Sequence, residues 1–333
     1  MDQPDFTHYV TLINTYFDRF VQTSDTCAKR GHPYVYQNQV LIVFFMMMQF
    51  RRIFQFKTQW KWLKSHPAQS EQLGLVTLPH RTTLSRRYKA LAPVLEELGV
   101  FLGHDVEPLD ERFESNDLYE DKSLFKAQGP VWHQSDRKAK RIPDKLRNLD
   151  TEATWSKSAY HGWVYGYGFH LTCNAIGFPK LIQTETASVS ESQVIDDKSD
   201  HIFHILCPDT LTGDNGYAKA MRIRNWAKQG VVLLTPAIKW VQGRYAQSYH
   251  KYIQQPPNAA LLELRKTAIE PIYDLIAQII GAIANHKQLS IKGIANVRTC
   301  LALGSFSLQI AMIANSIWRL PIRSISTIRG AFS

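Results

Sequence analysis

The strongest constraint on the fold is segment 163–175, in which two classes of side chain alternate. The odd positions are apolar or aromatic, and they are Trp163, Tyr165, Tyr167, Phe169, Leu171, Cys173 and Ala175. Most of the even positions are small or polar. Because successive side chains of a strand point to opposite faces, this period predicts a β-strand with one buried face. A turn at Gly177-Phe178-Pro179 then predicts a returning strand over 180–184.

Helical patterns lie on both sides of this strand. Apolar residues recur at helical spacing through residues 1–100, and the run Val40–Met48 is the longest apolar stretch. A membrane span needs about 20 such residues, so this run predicts a buried helix. Long helices are predicted over 257–285 and 294–318, and a shorter one over 217–229. This order of elements predicts an α/β or α+β core behind a helical front region.

Composition limits the classes of function. Lys and Arg number 39 against 29 Asp and Glu, which gives a net charge of +10 and favours a polyanionic partner. The four cysteines are far apart and form no C-x-x-C pair, which argues against a zinc ribbon or a disulfide framework and fits a reducing compartment. The segment MDQPDFTHYV lacks the basic and apolar regions of a signal peptide, so a cytoplasmic location is expected.

A basic segment at 78–89 is a candidate nucleic-acid contact. Pro79 is expected to open a short helix there, with Thr82 or Thr83 as its cap. Arg86, Arg87 and Lys89 would then crowd the exposed side of that helix. A helix-turn-helix protein places such a helix against DNA, whereas the alternative is a basic helix that only faces solvent.

Three groups of carboxylates are candidates for chemistry. Asp214 lies between two glycines, after an apolar run and before a helix. That places it at the carboxyl end of a strand, where open α/β sheets bind ligands, although D-N-G is also ordinary turn chemistry. The predicted helix over 257–285 carries Glu263, Glu270 and Asp274 opposite its isoleucine stripe, and periodicity does not choose among them.

The third group is Asp117 and Asp121, which would share one face of a strand. The segment from Ser115 to Phe125 is, however, too acidic to be a convincing buried strand. Either acid remains a candidate on these grounds.

Five motifs in this order resemble the DDE-type transposases of bacterial insertion sequences, over roughly residues 78–320. The motifs are Asp121-Lys122-Ser123 with 124–133, the strand segment 160–171, Gly213-Asp214-Asn215-Gly216-Tyr217, 264–266 with 269–273, and 292–315. The likeness is to the cut-and-paste group with a Tyr-Arg-Glu-Lys signature. Three of its positions differ. Glu263 and Ala277 stand where that signature has Tyr and Lys, and Lys266, preceded by Arg265, stands where it has Arg.

The resemblance implies an RNase H-like fold, a mixed sheet flanked by helices. It would occupy residues 105–333, with a small insertion at about 236–257, behind a helical DNA-binding and dimerisation domain over 1–104. It further implies that Asp121, Asp214 and Glu270 are catalytic and hold two Mg²⁺ ions, for which Mn²⁺ substitutes. Asp117 stays an alternative to Asp121. Carboxylate oxygens without His or Cys ligands suit Mg²⁺.

The implied activity is DNA cleavage at inverted-repeat ends followed by strand transfer. DNA would be the partner of a homodimer in the bacterial cytoplasm, at the nucleoid and with no membrane. The predicted DNA contacts are Arg81, Arg86, Arg87, Lys89, Tyr217, Lys239, Arg244, Arg265 and Lys266. Two alternatives stay open: a transposase-derived DNA-binding protein without catalysis, and a nuclease of similar fold without strand transfer.

Overall fold

The computed structural model describes residues 3–23, 34–144, 146–158, 162–238, 243–284 and 287–333. Its first part is helical, as predicted. The helices are α1 (Phe6–Thr23), α2 (Asn38–Phe50), α3 (Phe56–Ser65), α4 (Pro67–Gln72), α5 (Arg81–Ala90) and α6 (Ala92–Asp105). Residues 41–50 of α2 are all buried, which confirms the predicted core helix.

A mixed sheet follows this helical part. Its strands are β1 (Asp117–Lys126), β2 (Thr154–Ser158), β3 (Gly162–Asn174), β4 (Pro179–Thr186), β5 (Thr210–Thr212) and β6 (Val232–Leu234). The order is β2-β3-β1-β5-β6, and β4 also pairs with β3. Strands β1, β2 and β4 run antiparallel to β3, whereas β5 is parallel to β1 and to β6. The mixed sheet flanked by helices, behind a helical first part, confirms the predicted α/β architecture.

Strand β1 corrects one expectation, because the segment judged too acidic for a buried strand lies in the middle of the sheet between β3 and β5. Each of its acids has a partner. Glu120 forms an ion pair with Lys198, Asp121 faces Arg265, and Asp117 accepts a hydrogen bond from the Thr210 hydroxyl at 2.5 Å. Paired carboxylates remove much of the cost of burying charge, and these partners are distant in sequence.

Strand β3 corrects another expectation, since both of its faces are buried and not one. The aromatic face packs toward the helices that follow the sheet, with the Phe169 and Tyr273 ring centroids 6.2 Å apart. On the other face, the Thr172 hydroxyl lies 3.3 Å from Lys198 Nζ. The polar residues of the even positions therefore face a second, polar layer, and not solvent.

The helices after β1 complete the fold. They are α7 (Gln134–Lys138), α8 (Glu191–Asp197), α9 (Ser199–His201), α10 (Ala220–Lys228), α11 (Arg244–Ile253), α12 (Pro256–Ile280), α13 (Ile294–Ile317) and α14 (Ser326–Phe332). The apolar run at 202–206 is a π-helical turn. Helix α12 ends at the left-handed Gly281, before the predicted residue 285. The division into domains at residue 104 and the insertion at 236–257 stay predictions.

Helix α13 is the centre of the hydrophobic core. By length and composition it is apolar enough to cross a membrane, but 89% of its most apolar window is buried inside the protein. It packs against α5, α6, α12 and β4. The core helix of a folded protein passes the same test of length and composition, so this burial accounts for its apolar character.

Candidate active site

The three predicted acids line one cavity of about 750 Å³. Asp121 lies in the middle of β1, Asp214 follows β5, and Glu270 projects from α12. The parallel register pairs Tyr119 with Thr212, so residues 121 and 214, each two positions further along, reach the same level. Asp117 is not among the lining residues. The structure therefore brings Asp121, and not Asp117, together with Asp214 and Glu270.

Asp121 occupies a position in this cavity that disfavours its charged form. Its side chain is only 18% exposed, and burial raises its pKa to about 7. The Arg265 guanidinium, with Nη1 3.3 Å from Asp121 Oδ2, opposes that rise, while the charges of Asp214 and Glu191 add to it. The Tyr273 hydroxyl donates to the Asp121 main-chain oxygen at 2.5 Å and fixes the strand beneath the carboxyl. A cation placed among these acids would relieve this electrostatic cost.

The loop around Asp214 is both a turn and part of the site. The Gly216 amide donates to Asp214 Oδ1 at 2.6 Å, which orients the carboxylate. The Asn215 side chain accepts a hydrogen bond from the Ala237 amide at 2.9 Å, so its role is to hold the loop against the chain after β6. A Cβ at Gly213 would lie 2.7 Å from the Tyr217 ring, which explains the glycine there.

Helix α12 turns Arg265, and not Lys266, toward Asp121. The Arg265 side chain is 12% exposed and meets Asp121, whereas Lys266 is exposed. Glu263, at the signature position of Tyr, is also exposed. On the other side of Glu270, Asp274 forms an ion pair with Lys287 Nζ at 3.1 Å, within the lining of the same cavity.

Sequence reasoning missed three charged residues of the lining: Glu191, Lys157 and Lys287. Glu191 is the first residue of α8, whose N-cap Ser190 accepts a hydrogen bond from the Gln193 amide at 3.2 Å. The Ser-x-x-Gln spacing is a signal for the start of a helix, but it says nothing about an active site. Nothing in the sequence around Lys157 or Lys287 indicates that either residue lines an active site.

The donor chemistry of the cavity fits a hard divalent cation, because it consists of carboxylate oxygens. Throughout the described ranges, no three His, Cys, Asp or Glu side chains lie close enough to hold a metal ion as they stand. Arg265 also lies against Asp121. Binding of an ion by Asp121, Asp214 and Glu270 therefore requires their side chains to move together and the Asp121–Arg265 contact to loosen.

The predicted DNA contacts divide into exposed and buried residues. The exposed ones are Arg81, Arg86, Lys89, Arg244 and Lys266. Arg87 is buried, because its Nη2 donates to Asn38 Oδ1 at 2.6 Å and its guanidinium lies 3.7 Å from the Tyr34 ring centroid. Tyr217 is fully buried in a second hydrophobic cluster. Neither residue has a surface to offer DNA in this structure. Lys239 lies outside the described residues.

The cap of α5 also differs from the prediction. His80, and not Thr82 or Thr83, precedes the first helical residue and accepts a hydrogen bond from the Thr82 amide. A histidine ring nitrogen takes the place of the hydroxyl that the sequence suggested.

Comparisons with known proteins point to one family. Residues 121–285 match the family model described as "Transposase DDE domain". No curated protein matches the chain. Among solved structures, a pre-cleavage Mos1 transpososome aligns at 9% identity, covering 90% of this chain and 86% of that one, with a TM-score of 0.17. The match covers just under half of the chain, and it makes residues 121–285 similar to the DDE domain of transposases.

Proposed function

We propose that this protein is an insertion-sequence transposase that cuts DNA at inverted-repeat ends and joins the ends to target DNA. The observation that carries the proposal is the convergence of Asp121, Asp214 and Glu270 on one cavity, inside the segment that matches the family. We further propose that it acts as a homodimer on DNA, at the nucleoid in the bacterial cytoplasm.

In this proposal Asp121, Asp214 and Glu270 hold two Mg²⁺ ions, or Mn²⁺ in their place. When bound, such ions supply activation of the attacking water or 3′-hydroxyl and stabilisation of the leaving oxygen. The chain itself supplies the acid ligands and positive charge around them. Lys157, exposed on β2 at the cavity, is placed to attract the phosphates of the scissile strand.

The front helices offer the surface for the rest of the DNA. Arg81, Arg86 and Lys89 are exposed on α5, and α3 adds three exposed lysines, Lys57, Lys61 and Lys64. Neither helix contains an acidic residue. Within the part of the chain that the structure describes, none of these six side chains forms an ion pair. Their attraction to phosphates should make affinity fall steeply with salt.

The two helices present this charge side by side. The Trp60 ring of α3 meets the ring of His80, the cap of α5, at a centroid distance of 6.1 Å. Lys64 Nζ lies 4.0 Å from the Trp60 ring centroid. The lysines of α3 thus continue the basic surface of α5 and do not form a separate patch.

The test is cleavage of end-labelled DNA that carries the inverted repeats flanking the coding region, with Mg²⁺ or Mn²⁺. Asp214→Asn and Glu270→Gln should abolish cleavage while DNA binding survives. Glu263→Gln, an exposed acid on the same helix as Glu270, is the matched control and should cut normally.

The remaining outcomes contradict the proposal or indicate a different function. Full cleavage by Asp214→Asn or Glu270→Gln contradicts the proposal. A wild-type protein that shifts the DNA and leaves it uncut is a DNA-binding protein without catalysis. Cleavage with no joined product indicates a nuclease without strand transfer.

A further inference from the structure

A second cavity, of about 490 Å³, lies between the front helices and the sheet. We call it the amide cleft, because amide side chains line it, among them Gln55, Gln128 and Asn148. Phe54 and Phe56 add half-buried rings to the same lining. The described lining contains no Asp, Glu, His or Cys, so the amide cleft is suited to hydrogen bonding and apolar contact and not to acid–base chemistry.

The protein leaves three of these amides available to a ligand. Gln55 is the N-cap residue of α3, but its side chain makes no capping hydrogen bond. Within the described ranges, the side chains of Gln128 and Asn148 also have no hydrogen-bond partner. Asn296 is different, because its Nδ2 donates to the Lys292 main-chain oxygen at 2.8 Å. Each available amide offers both donors and an acceptor, so a ligand can pair with it without breaking a bond inside the protein.

The wall that carries Asn148 is fixed through its main chain. A Cβ at Gly129 would lie 2.7 Å from the Asn148 main-chain oxygen, so glycine permits this close approach. Lys292 Nζ donates to the same oxygen at 2.8 Å. Asn148 has a left-handed φ of 64°, a conformation in which asparagine is enriched. These contacts hold the backbone and leave the Asn148 side chain uncommitted.

Two chain segments run side by side from the active-site cavity to the amide cleft. Strand β1 contributes Ser123 to the cavity, and the chain just beyond the strand contributes Gln128 to the cleft. The segment after α12 contributes Lys287 to the cavity and Ser290 to the cleft. The Lys126 amide joins the two segments by donating to the Lys287 main-chain oxygen at 3.1 Å.

The other side of the amide cleft belongs to the basic front helices. Phe56, the first residue of α3, lines the cleft, and the next residue is the exposed Lys57. A DNA duplex that extends from the basic surface of α3 and α5 to the active-site cavity therefore passes over the amide cleft.

The length of these segments sets the distance along the DNA. Ser290 is three residues beyond Lys287, and Gln128 is seven residues beyond Asp121. At about 3.3 Å per extended residue, these separations are about 10 Å and about 23 Å. At about 3.4 Å per base pair, they place the amide cleft roughly three to seven base pairs from the scissile phosphate.

The lining has the chemistry that recognises an A·T base pair in the major groove. Gln and Asn amides form paired hydrogen bonds with adenine N6 and N7, and a Phe ring makes apolar contact with the thymine methyl group. Guanine is read mainly by Arg or Lys. Lys292, the charged residue of the described lining, is instead engaged by the Asn148 main-chain oxygen.

We infer that the amide cleft reads A·T base pairs of the transposon end, roughly three to seven pairs from the scissile phosphate, through Gln55, Gln128 and Asn148. The inference rests on the proposed function and adds the residues that determine sequence specificity. The lysines and arginines of α3 and α5 contact phosphates and position the duplex, whereas contacts to base edges select the sequence.

The test selects preferred sequences from duplexes that carry the flanking inverted repeat with its first dozen base pairs randomised. Full-length protein binds them in EDTA, so that none is cut. The wild type should enrich A·T over G·C about tenfold or more at one or more of pairs three to seven. Gln128→Met removes the amide but keeps the side-chain length, and Asn148→Gly removes the amide but suits the left-handed backbone. Both variants should lose this enrichment.

Gln229→Met is the matched control, because Gln229 is an exposed glutamine after α10 and does not line the amide cleft. It should keep the wild-type preference.

Salt dependence and thermal melts separate base reading from phosphate contact and from folding. Neither cleft variant removes a charge, so both should keep the wild-type salt slope and melting temperature. The inference is overturned if the wild type shows no preference at pairs three to seven, or if both variants retain it. A preference that is lost together with a lowered melting temperature would give these amides a structural role and would also overturn it.

Cleavage of the native repeat distinguishes the two proposals from each other. If the wild type cuts and joins the native end with Mg²⁺ but has no preference at these base pairs, only the role of the amide cleft fails. If the wild type neither binds the repeat specifically nor cuts it, the proposed function fails and the inference fails with it.

Discussion

The buried ion pair behind the active site gives the sharpest prediction about stability. Lys198 Nζ lies 2.9 Å from Glu120 Oε1 and 3.0 Å from Oε2, and the two side chains are 2% and 0% exposed. The Thr172 hydroxyl completes the network by donating to Glu120. Glu120 directly precedes Asp121, and Lys198 caps the end of α8, so the pair joins the strand and the helix that carry two acids of the cavity.

The size of the stability loss follows from the desolvation of the charge that remains when one partner is removed. Lys198→Met leaves the Glu120 carboxylate buried without a counter-charge, which typically costs about 3–5 kcal/mol of the free energy of unfolding. Taking an unfolding entropy of about 2.1 cal/mol/K per residue, a chain of 333 residues should lose roughly 4–7 °C in melting temperature. Glu120→Gln should lower the free energy of unfolding by a similar amount, because it leaves the Lys198 ammonium group buried without a counter-charge.

The double variant is the decisive measurement. Lys198→Met with Glu120→Gln removes both charges, so its loss should fall short of the sum of the single losses by about 2 kcal/mol or more. Thermal melts of the four proteins in EDTA give this coupling, and Lys228→Met, an exposed lysine on α10, serves as the control. Additive losses would refute the argument, since they would mean that the two charges do not stabilise each other.

The pH dependence of the single variant has a defined sign. Burial already raises the pKa of Glu120, and Lys198 opposes that rise. Without Lys198 the pKa rises further, and folding then favours the protonated acid. The variant should therefore be most stable at low pH and lose stability as pH rises through the raised pKa. A loss that is the same at pH 5 and pH 8 would contradict this reasoning.

Three shorter predictions follow from the cavity and the front helices. Because burial raises the pKa of Asp121 to about 7, Asp121→Asn in EDTA should be more stable than the wild type at pH 8, by about 2–4 kcal/mol, and equal to it near pH 4 in pH-dependent melts. Gly216→Ala should lower Mn²⁺ affinity in calorimetry although every acid remains, because its Cβ displaces neighbouring carboxylate oxygens. Arg86→Met should weaken DNA binding and reduce its salt slope by about one in filter-binding titrations, whereas Arg87→Met should lower the melting temperature and leave that slope unchanged.

The sequence by itself determined those helices, strands and turns that show in the spacing of apolar residues or glycines over a few consecutive positions. The alternation over 163–175 gave the position of β3, the apolar run at 40–48 gave a buried helix, and the glycines around Asp214 gave a turn after a strand. These signals work because the strand and helix periods, and the turn preference of glycine, are properties of a few consecutive residues. The motif order also pointed to Asp214 and Glu270, with Asp117 left as an alternative to Asp121, and the fold brings Asp121, Asp214 and Glu270 to one cavity.

Only the tertiary structure decided which charged residues face each other. An acidic strand becomes the centre of the sheet because Lys198 comes from 78 residues further along the chain to meet Glu120. The same packing turns Arg265 toward Asp121, buries Arg87 against Asn38, and brings Glu191 to the cavity from a helix that shows no catalytic signal. A local period reports which side of an element is apolar, but the partner of a charge is set by long-range packing. For that reason the acids could be listed from the sequence, while their partners could not.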